Sequence, residues 1–418
     1  MKNESVVGPD VLTGELATSR PSHRLSSALL AVPLVVIGLG NLVLPEPAQA
    51  LLPVDYLLLT LALCGAVSLY RLRRVVSRLS MLTPLVLFFA GCLVGVLSST
   101  ASSYAQNKFL TFGIIALLAT ATATATSQLA LQRAVGISLL IVGVATSAAL
   151  ITLGSVSPLG RATLFDLNPI GLARATGLAT VISVALLFSG GPRRRSLFWV
   201  GLLAVALLGS VATVLTGSRG PFVSIAAALA VVLVASLHAK RLRLATVATL
   251  GVTLIAGYLA VVLFGGQGLG RLESGVDSGR ALLYSQTWEV IRSRPWTGVG
   301  WGNFPLYIFD FSSDDGTLYP HNILLELWVE GGIPALVGFL ILCVAAFARQ
   351  FRAARDATWT FVMLAVLTFS LTNALFSSDV VGNRLMWLLL VVGLLSVERS
   401  TKRGTGIDST RRGPLRSA

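Results

Sequence analysis

Three residues of this sequence have the type and the setting to do chemistry outside an apolar core. Arg219 lies in Thr216-Gly-Ser-Arg-Gly220, between two apolar stretches. Arg280 follows Ser278-Gly279, and His321 sits in Pro320-His-Asn322, where a long polar segment runs back into an apolar one. A guanidinium fork grips phosphate oxygens bidentately, and a neutral imidazole is the side chain suited to take a proton near pH 7. Two forks and one imidazole on one side of the molecule make a phosphate-and-base set. Behind His321, Asn322, Glu326 and Glu330 recur every four residues, a polar stripe on one helix face. Each residue has a plainer alternative. Arg219 can snorkel to an interface, Arg280 can be an ordinary first-turn charge, and His321 with Asn322 can cap a helix entry. Glu326 and Glu330 can pair with arginines elsewhere in the bundle. Arg161, Arg174 and Asn168-Pro169 are further candidates. No metal site is expected: of the three histidines only His321 lies on this side, and Asp310, Asp314 and Asp315 lack the spacing of a calcium loop. No cofactor is called for.

The elements that must hold these residues follow from composition. The chain of 418 residues is 54% hydrophobic and 12% charged, with a mean hydropathy of +0.81. Soluble domains carry about 25% charged residues, so a soluble globular protein, a disordered chain and a disulfide scaffold are excluded. A membrane-spanning helix needs about 20 mostly apolar residues, and stretches of that length recur, unlike the short alternating strands of a barrel. Twelve can be drawn: 25–44, 51–70, 82–100, 108–127, 134–153, 171–190, 197–216, 220–237, 245–264, 322–347, 357–376 and 385–397. The expected fold is all-α, a polytopic membrane bundle. Cys64, Cys92 and Cys343 fall inside apolar stretches and read as packing residues. Gly91-xxx-Gly95 and the Thr120–Thr126 Thr/Ala run supply small side chains for close helix contact.

The net charge of +14 would point to nucleic acid in a soluble chain. Here the cations sit in short loops and report orientation instead, so no nucleic-acid partner is expected. With a cytoplasmic N-terminus, 23 of the 32 Lys and Arg fall inside and 9 outside. Residues 1–24 then form a disordered cytoplasmic tail, 25–398 the transmembrane domain, and 399–418 a basic cytoplasmic tail facing the lipid heads. Ala48-Gln49-Ala50 mimics a signal-peptidase site, but the long leader favours an uncleaved first helix. The one large outside loop, 265–321, is rich in aromatics and leaves the membrane through Gly265-Gly-Gln-Gly-Leu-Gly270. A helix from Ser278 to about Ser293 is expected there, with Ala281, Tyr284, Trp288 and Ile291 on its apolar face against the bilayer and bundle. Gly298-Val-Gly-Trp-Gly302 reads as a tight turn. No strand precedes it, so a dinucleotide fingerprint is excluded.

In order, Ser218-Arg-Gly220, Ser278-Gly-Arg-x7-Trp288, Pro295-Trp-x-Gly-Val-Gly-x-Gly-Asn-Phe304 and His321-Asn-x-x-Leu-Glu-Leu-x-x-Glu-Gly-Gly332 resemble the O-antigen ligase/polymerase superfamily. The motifs span about 216–334, and the remaining spans match only in number and hydropathy. The resemblance implies a lipid-linked glycosyltransferase bundle of the C type in a bacterial cytoplasmic membrane, with the active site extracytoplasmic. It also implies a glycan donor on undecaprenyl diphosphate and an acceptor hydroxyl on a glycan, lipid, protein or wall polymer, joined without a metal. By motif position Arg219 and Arg280 would engage the diphosphate and His321 would act as base. Asn322, Glu326 and Arg174 are expected to complete the substrate site. No separate acceptor-binding domain is visible. The competing expectation is a transporter or flippase for a small anion or lipid-linked glycan, which would place charges deep in several helices and break helices near the midplane.

Overall fold

The computed structural model describes residues 76–99, 128–157, 161–165, 167–189, 196–239, 280–308 and 318–396, with scattered positions between 62 and 120 and Gly251. The tails, the stretch 25–44, the 265–279 exit, Ala48-Gln49-Ala50 and Asp310, Asp314 and Asp315 lie outside them, as does most of 51–70, 108–127 and 245–264.

Nine helices are used here: α1 Thr83–Leu97, α2 Gln128–Leu153, α3 Pro169–Phe188, α4 Ser196–Leu215, α5 Arg219–His238, α6 Arg280–Ser293, α7 Ile323–Ala353, α8 Thr358–Ala374 and α9 Arg384–Leu394. A two-residue hairpin, β1 Ser155–Val156 with β2 Ala162–Thr163, joins α2 to α3 in antiparallel register. Among the described residues six helices are long and apolar enough to cross a membrane, and α8 and α9 are shorter apolar helices. Each falls on an expected stretch, with α2 starting six residues earlier than drawn and α7 running six residues further.

Of the six long helices α3 is the most enclosed. Asn168 caps it, its Oδ1 accepting from Ile170 N at 2.9 Å, and Pro169 opens the first turn. Asn168-Pro169 is thus a helix start rather than a ligand site. α3 carries Thr176, Thr180 and Ser183 into the interior, and Thr176 pairs with Thr213 of α4 at 2.7 Å. Between helices in lipid, close packing rather than water exclusion drives association. Accordingly Gly143, Gly177 and Gly209 leave room for Ala179, Phe369 and Thr180 of their neighbours. In the same way Gly91 and Gly95 of α1 lie against Pro334 and Glu330 of α7. Phe88, Phe112, Phe339 and Trp387 fill the layer beside that contact, with Phe112 and Trp387 ring centroids 4.9 Å apart.

α7 breaks at Gly332, whose φ of 72° and ψ of −175° leave the helix, just before Pro334. A break frees carbonyls that need partners. The glycine-rich turn supplies them: Val299 N donates to Val329 O at 2.8 Å and Gly300 N to Glu330 O at 3.1 Å. Ile333 N in return donates to Pro295 O at 3.0 Å. Gly298, Gly300 and Gly302 all have positive φ, and a Cβ on any of them would meet neighbouring backbone below 3.0 Å. The turn is a wedge between α1 and α7. Trp301 seals it, donating from Nε1 to Cys92 O at 3.0 Å.

α6 packs over this wedge. Its buried face is Leu283, Thr287, Val290 and Ile291, against Val299, Phe304, Ile308 and Val329. The expected face of Ala281, Tyr284, Trp288 and Ile291 is therefore rotated. Thr287 goes inside because its hydroxyl donates to Leu283 O at 2.6 Å, while Trp288 stays 41% exposed on the edge of Trp328.

Candidate functional site

One end of the bundle gathers the chemistry. There the starts of α3, α5, α6 and α7 meet the end of α8 and the turn that follows it. The opposite end is tied by Arg349, whose Nη1 donates to Met81 O and Leu394 O at 2.8 Å.

Arg174, one turn into α3, is wholly engaged. Its Nε donates to Asn373 Oδ1 at 2.7 Å and its Nη2 to Ser377 Oγ at 2.6 Å and Ser377 O at 3.2 Å. Its Nη1 reaches Ser378 Oγ at 3.5 Å. All three nitrogens of the fork hold the end of α8 and the turn after it, and Arg174 also lines a small cavity with Asn373 and Asn383. Ser378 adopts a φ of 66°, costly for a residue with a Cβ and sustained only where neighbours over-determine it. The next residue, Asp379, accepts from Gly382 N at 2.7 Å.

His321 is the second strained residue, with a φ of 55°. Half-buried, it lies on Tyr319 with ring centroids 4.3 Å apart. Burial and then the Arg280 cation hold the imidazole below its ordinary value of 6.5, against the opposing pull of Asp379. Burial pushes the Tyr319 phenol up to about 12, with Asp379 and Glu326 adding to the rise and Arg174 and Arg280 opposing it. His321 is therefore a neutral base at pH 7 and Tyr319 a neutral hydroxyl. The structure brings Arg280, His321 and Arg174 into one electrostatic neighbourhood. Arg219, exposed at the start of α5, joins less directly: Gly220 beside it packs on Phe376, the residue before Ser377.

Asn322 and Glu326 each have a partner within the protein. The Asn322 side chain caps α7, its Oδ1 accepting from Leu324 N at 3.0 Å and Leu325 N at 3.3 Å. Glu326 is 0% exposed and lies 2.7 Å from Lys108 Nζ, away from any open surface. Its ion-pair partner is thus a lysine, not one of the arginines expected. Lys108 also donates to both Glu330 oxygens, at 2.8 and 2.7 Å.

Lys108, Tyr319, Ser377, Ser378 and Asp379 were missed by sequence reasoning. A usable signal existed for two of them. Lys108 is an ionisable residue at membrane depth, where it needs a partner, and Asp379 follows two serines in the short connection between the last two spans.

No curated protein and no solved structure matches the chain. Residues 204–340, about a third of its length, match the family model described as O-Antigen ligase. That segment contains Arg219, Arg280 and His321, and over it this membrane protein is similar to the O-antigen ligase family.

Proposed function

We propose that the protein transfers a glycan from an undecaprenyl-diphosphate-linked donor to an acceptor hydroxyl on the outer side of a bacterial cytoplasmic membrane. The observation that carries this reading is His321, half-buried against Tyr319 at a φ of 55° inside the segment that matches the family, where burial and the Arg280 cation lower its proton affinity. His321 takes the proton of the acceptor oxygen as that oxygen attacks the anomeric carbon. The imidazolium so formed is stabilised by Asp379, and the bond to the diphosphate breaks. Arg280 and Arg219 meet the charge that develops on the leaving diphosphate, the role a divalent cation plays elsewhere. Arg174 acts through the turn it grips, setting where Asp379 faces the imidazole. The wedge and α6 roof this end and exclude water from the activated donor.

The transporter alternative predicted a broken helix, and α7 is one. Its freed carbonyls at Val329 and Glu330 are occupied by the wedge, which leaves that break filled rather than lining a passage.

The test is glycan transfer by the purified full-length protein from a polyprenyl-diphosphate-linked oligosaccharide, with EDTA present. Transfer by wild type and its near-complete loss in folded Arg280→Ala and His321→Ala is the expected result. Equal transfer by all three would remove the site assignment, and transfer abolished by EDTA would remove the metal-independent mechanism.

A further inference from the structure

Beneath the Tyr319–His321 segment lies a charged cluster that the transfer mechanism does not use. Lys108, Glu326 and Glu330 have side-chain exposures of 2%, 0% and 0%. One ammonium facing two carboxylates leaves one negative charge without compensation, and an uncompensated charge at this depth is strongly disfavoured. We propose that the cluster is a proton-holding site in which Glu326 keeps its carboxyl proton, so that the floor under His321 carries no net charge.

The hydrogen-bond inventory assigns the proton. Glu330 accepts from Lys108 at both oxygens, at 2.8 and 2.7 Å, and from the Gly302 amide. Charge-assisted bonds of this kind favour the anion. Glu326 has only the approach of Lys108 Nζ to its Oε1, at 2.7 Å and poorly aligned, and among the described residues no other donor reaches either oxygen. Among the described residues the groups that face Glu326 are Lys108, Glu330, Asp379 and Tyr319, of which two are anions and one a cation. One influence runs the other way. Glu326 lies in the first turn of α7, where the helix dipole favours a carboxylate, but that effect is small beside the three hydrogen bonds on Glu330.

The consequence for the site rests on the transferase reading. An ionised Glu326 one helical turn below His321 would repel a diphosphate approaching Arg280. With the proton in place, the arginines meet the donor unopposed from below.

The test reads the proton itself and needs no substrate, so it stands whether or not glycan transfer is found. Infrared spectra of the full-length protein in detergent, in H2O and D2O at pH 7, are compared for wild type, Glu326→Gln and Glu330→Gln. Wild type should show a protonated-carboxyl carbonyl band that shifts in D2O and disappears in Glu326→Gln. Melting of the same samples separates the two acids. Glu326→Gln, replacing a group that is already neutral, should melt close to wild type, and Glu330→Gln, which loses an ionised acceptor of three hydrogen bonds, clearly lower. Absence of any band removed by Glu326→Gln overturns the proposal. So does a Glu326→Gln protein that melts as low as Glu330→Gln.

Discussion

His321 and Tyr319 lie ring against ring, 4.3 Å between centroids and tilted by 53°, across the buried Pro320. His321 adopts a left-handed backbone conformation at the point where the chain turns into α7, and its imidazole feels both the cation Arg280 and the anion Asp379. Each neighbour has a separable effect.

The acidic side of the His321 titration should respond to both neighbours in opposite directions. Asp379→Asn removes the group that raises the imidazole and should move its titration further below 6.5, whereas Arg280→Gln should move it up. Histidine NMR titration of the full-length protein is practical because the chain has only three histidines. Movement of both variants in the same direction would contradict the arrangement.

Stability should carry the same signature. Because the folded state lowers His321, the unfolded chain binds the proton more readily below about pH 6.5. The part of the stability that depends on this residue is complete above that pH and declines as pH falls toward the lowered value. The His321→Gln protein should show a shallower fall in melting temperature from pH 7 to 5 than wild type.

Asn322 should behave as a helix cap. Asn322→Ala should cost about 0.5–2 kcal/mol of stability, and Asn322→Asp or Asn322→Ser should recover most of it, with any transfer activity following the folded fraction. A variant that loses transfer while melting like wild type would mean that Asn322 touches substrate.

The wedge should be intolerant of a single added methyl group. Gly298→Ala and Gly300→Ala place Cβ atoms 2.6 Å from the backbone of Glu330 and Ser98, at positive φ. Conformational strain alone is worth about 1–3 kcal/mol at such positions, and the clash adds to it. Gly113→Ala, where nothing lies within 4 Å, is the control and should melt at or above wild type. Equal melting temperatures for the three would mean that the turn is loosely held.

Arg174→Lys keeps the charge and loses the fork. Hydrogen bonds to charged groups contribute about 1.5–3 kcal/mol each when intact, and an ammonium cannot span Asn373, Ser377 and Ser378 together. Lower melting with a reduced kcat and an unchanged KM would fit a residue that sets the turn. A raised KM alone would return Arg174 to the substrate.

Much of this arrangement was legible in the sequence. Apolar length located α1 through α5 and α7 through α9 because lipid demands nearly uninterrupted runs, and the ordered motifs led to Arg219, Arg280 and His321. The face of α6 was not legible. A helix lying on protein can bury a threonine whose hydroxyl bonds to its own backbone, and a pattern of apolar spacing cannot anticipate that. Nor was the engagement of Arg174, since its partners Asn373, Ser377 and Ser378 stand about 200 residues away. The charge count held an unused clue. The nine cations on the minority side include Lys108, Arg174, Arg219 and Arg280, and a cation kept on that side against the prevailing bias usually has an employer.

The bond between Lys108 and Glu330 spans 222 residues, and Trp301 reaches Cys92 across 209. At synthesis rates of about 5–20 residues per second, Lys108 reaches the membrane roughly 10–45 s before its carboxylates exist. The segment around Lys108 therefore cannot settle when it is first made. It must wait at the water boundary, or be sheltered by the insertion machinery, until the first half of α7 arrives and draws it in. The chemistry-bearing end of the bundle therefore cannot close before α7 and the turn after α8 are made, and a ribosome stalled before residue 330 leaves it open.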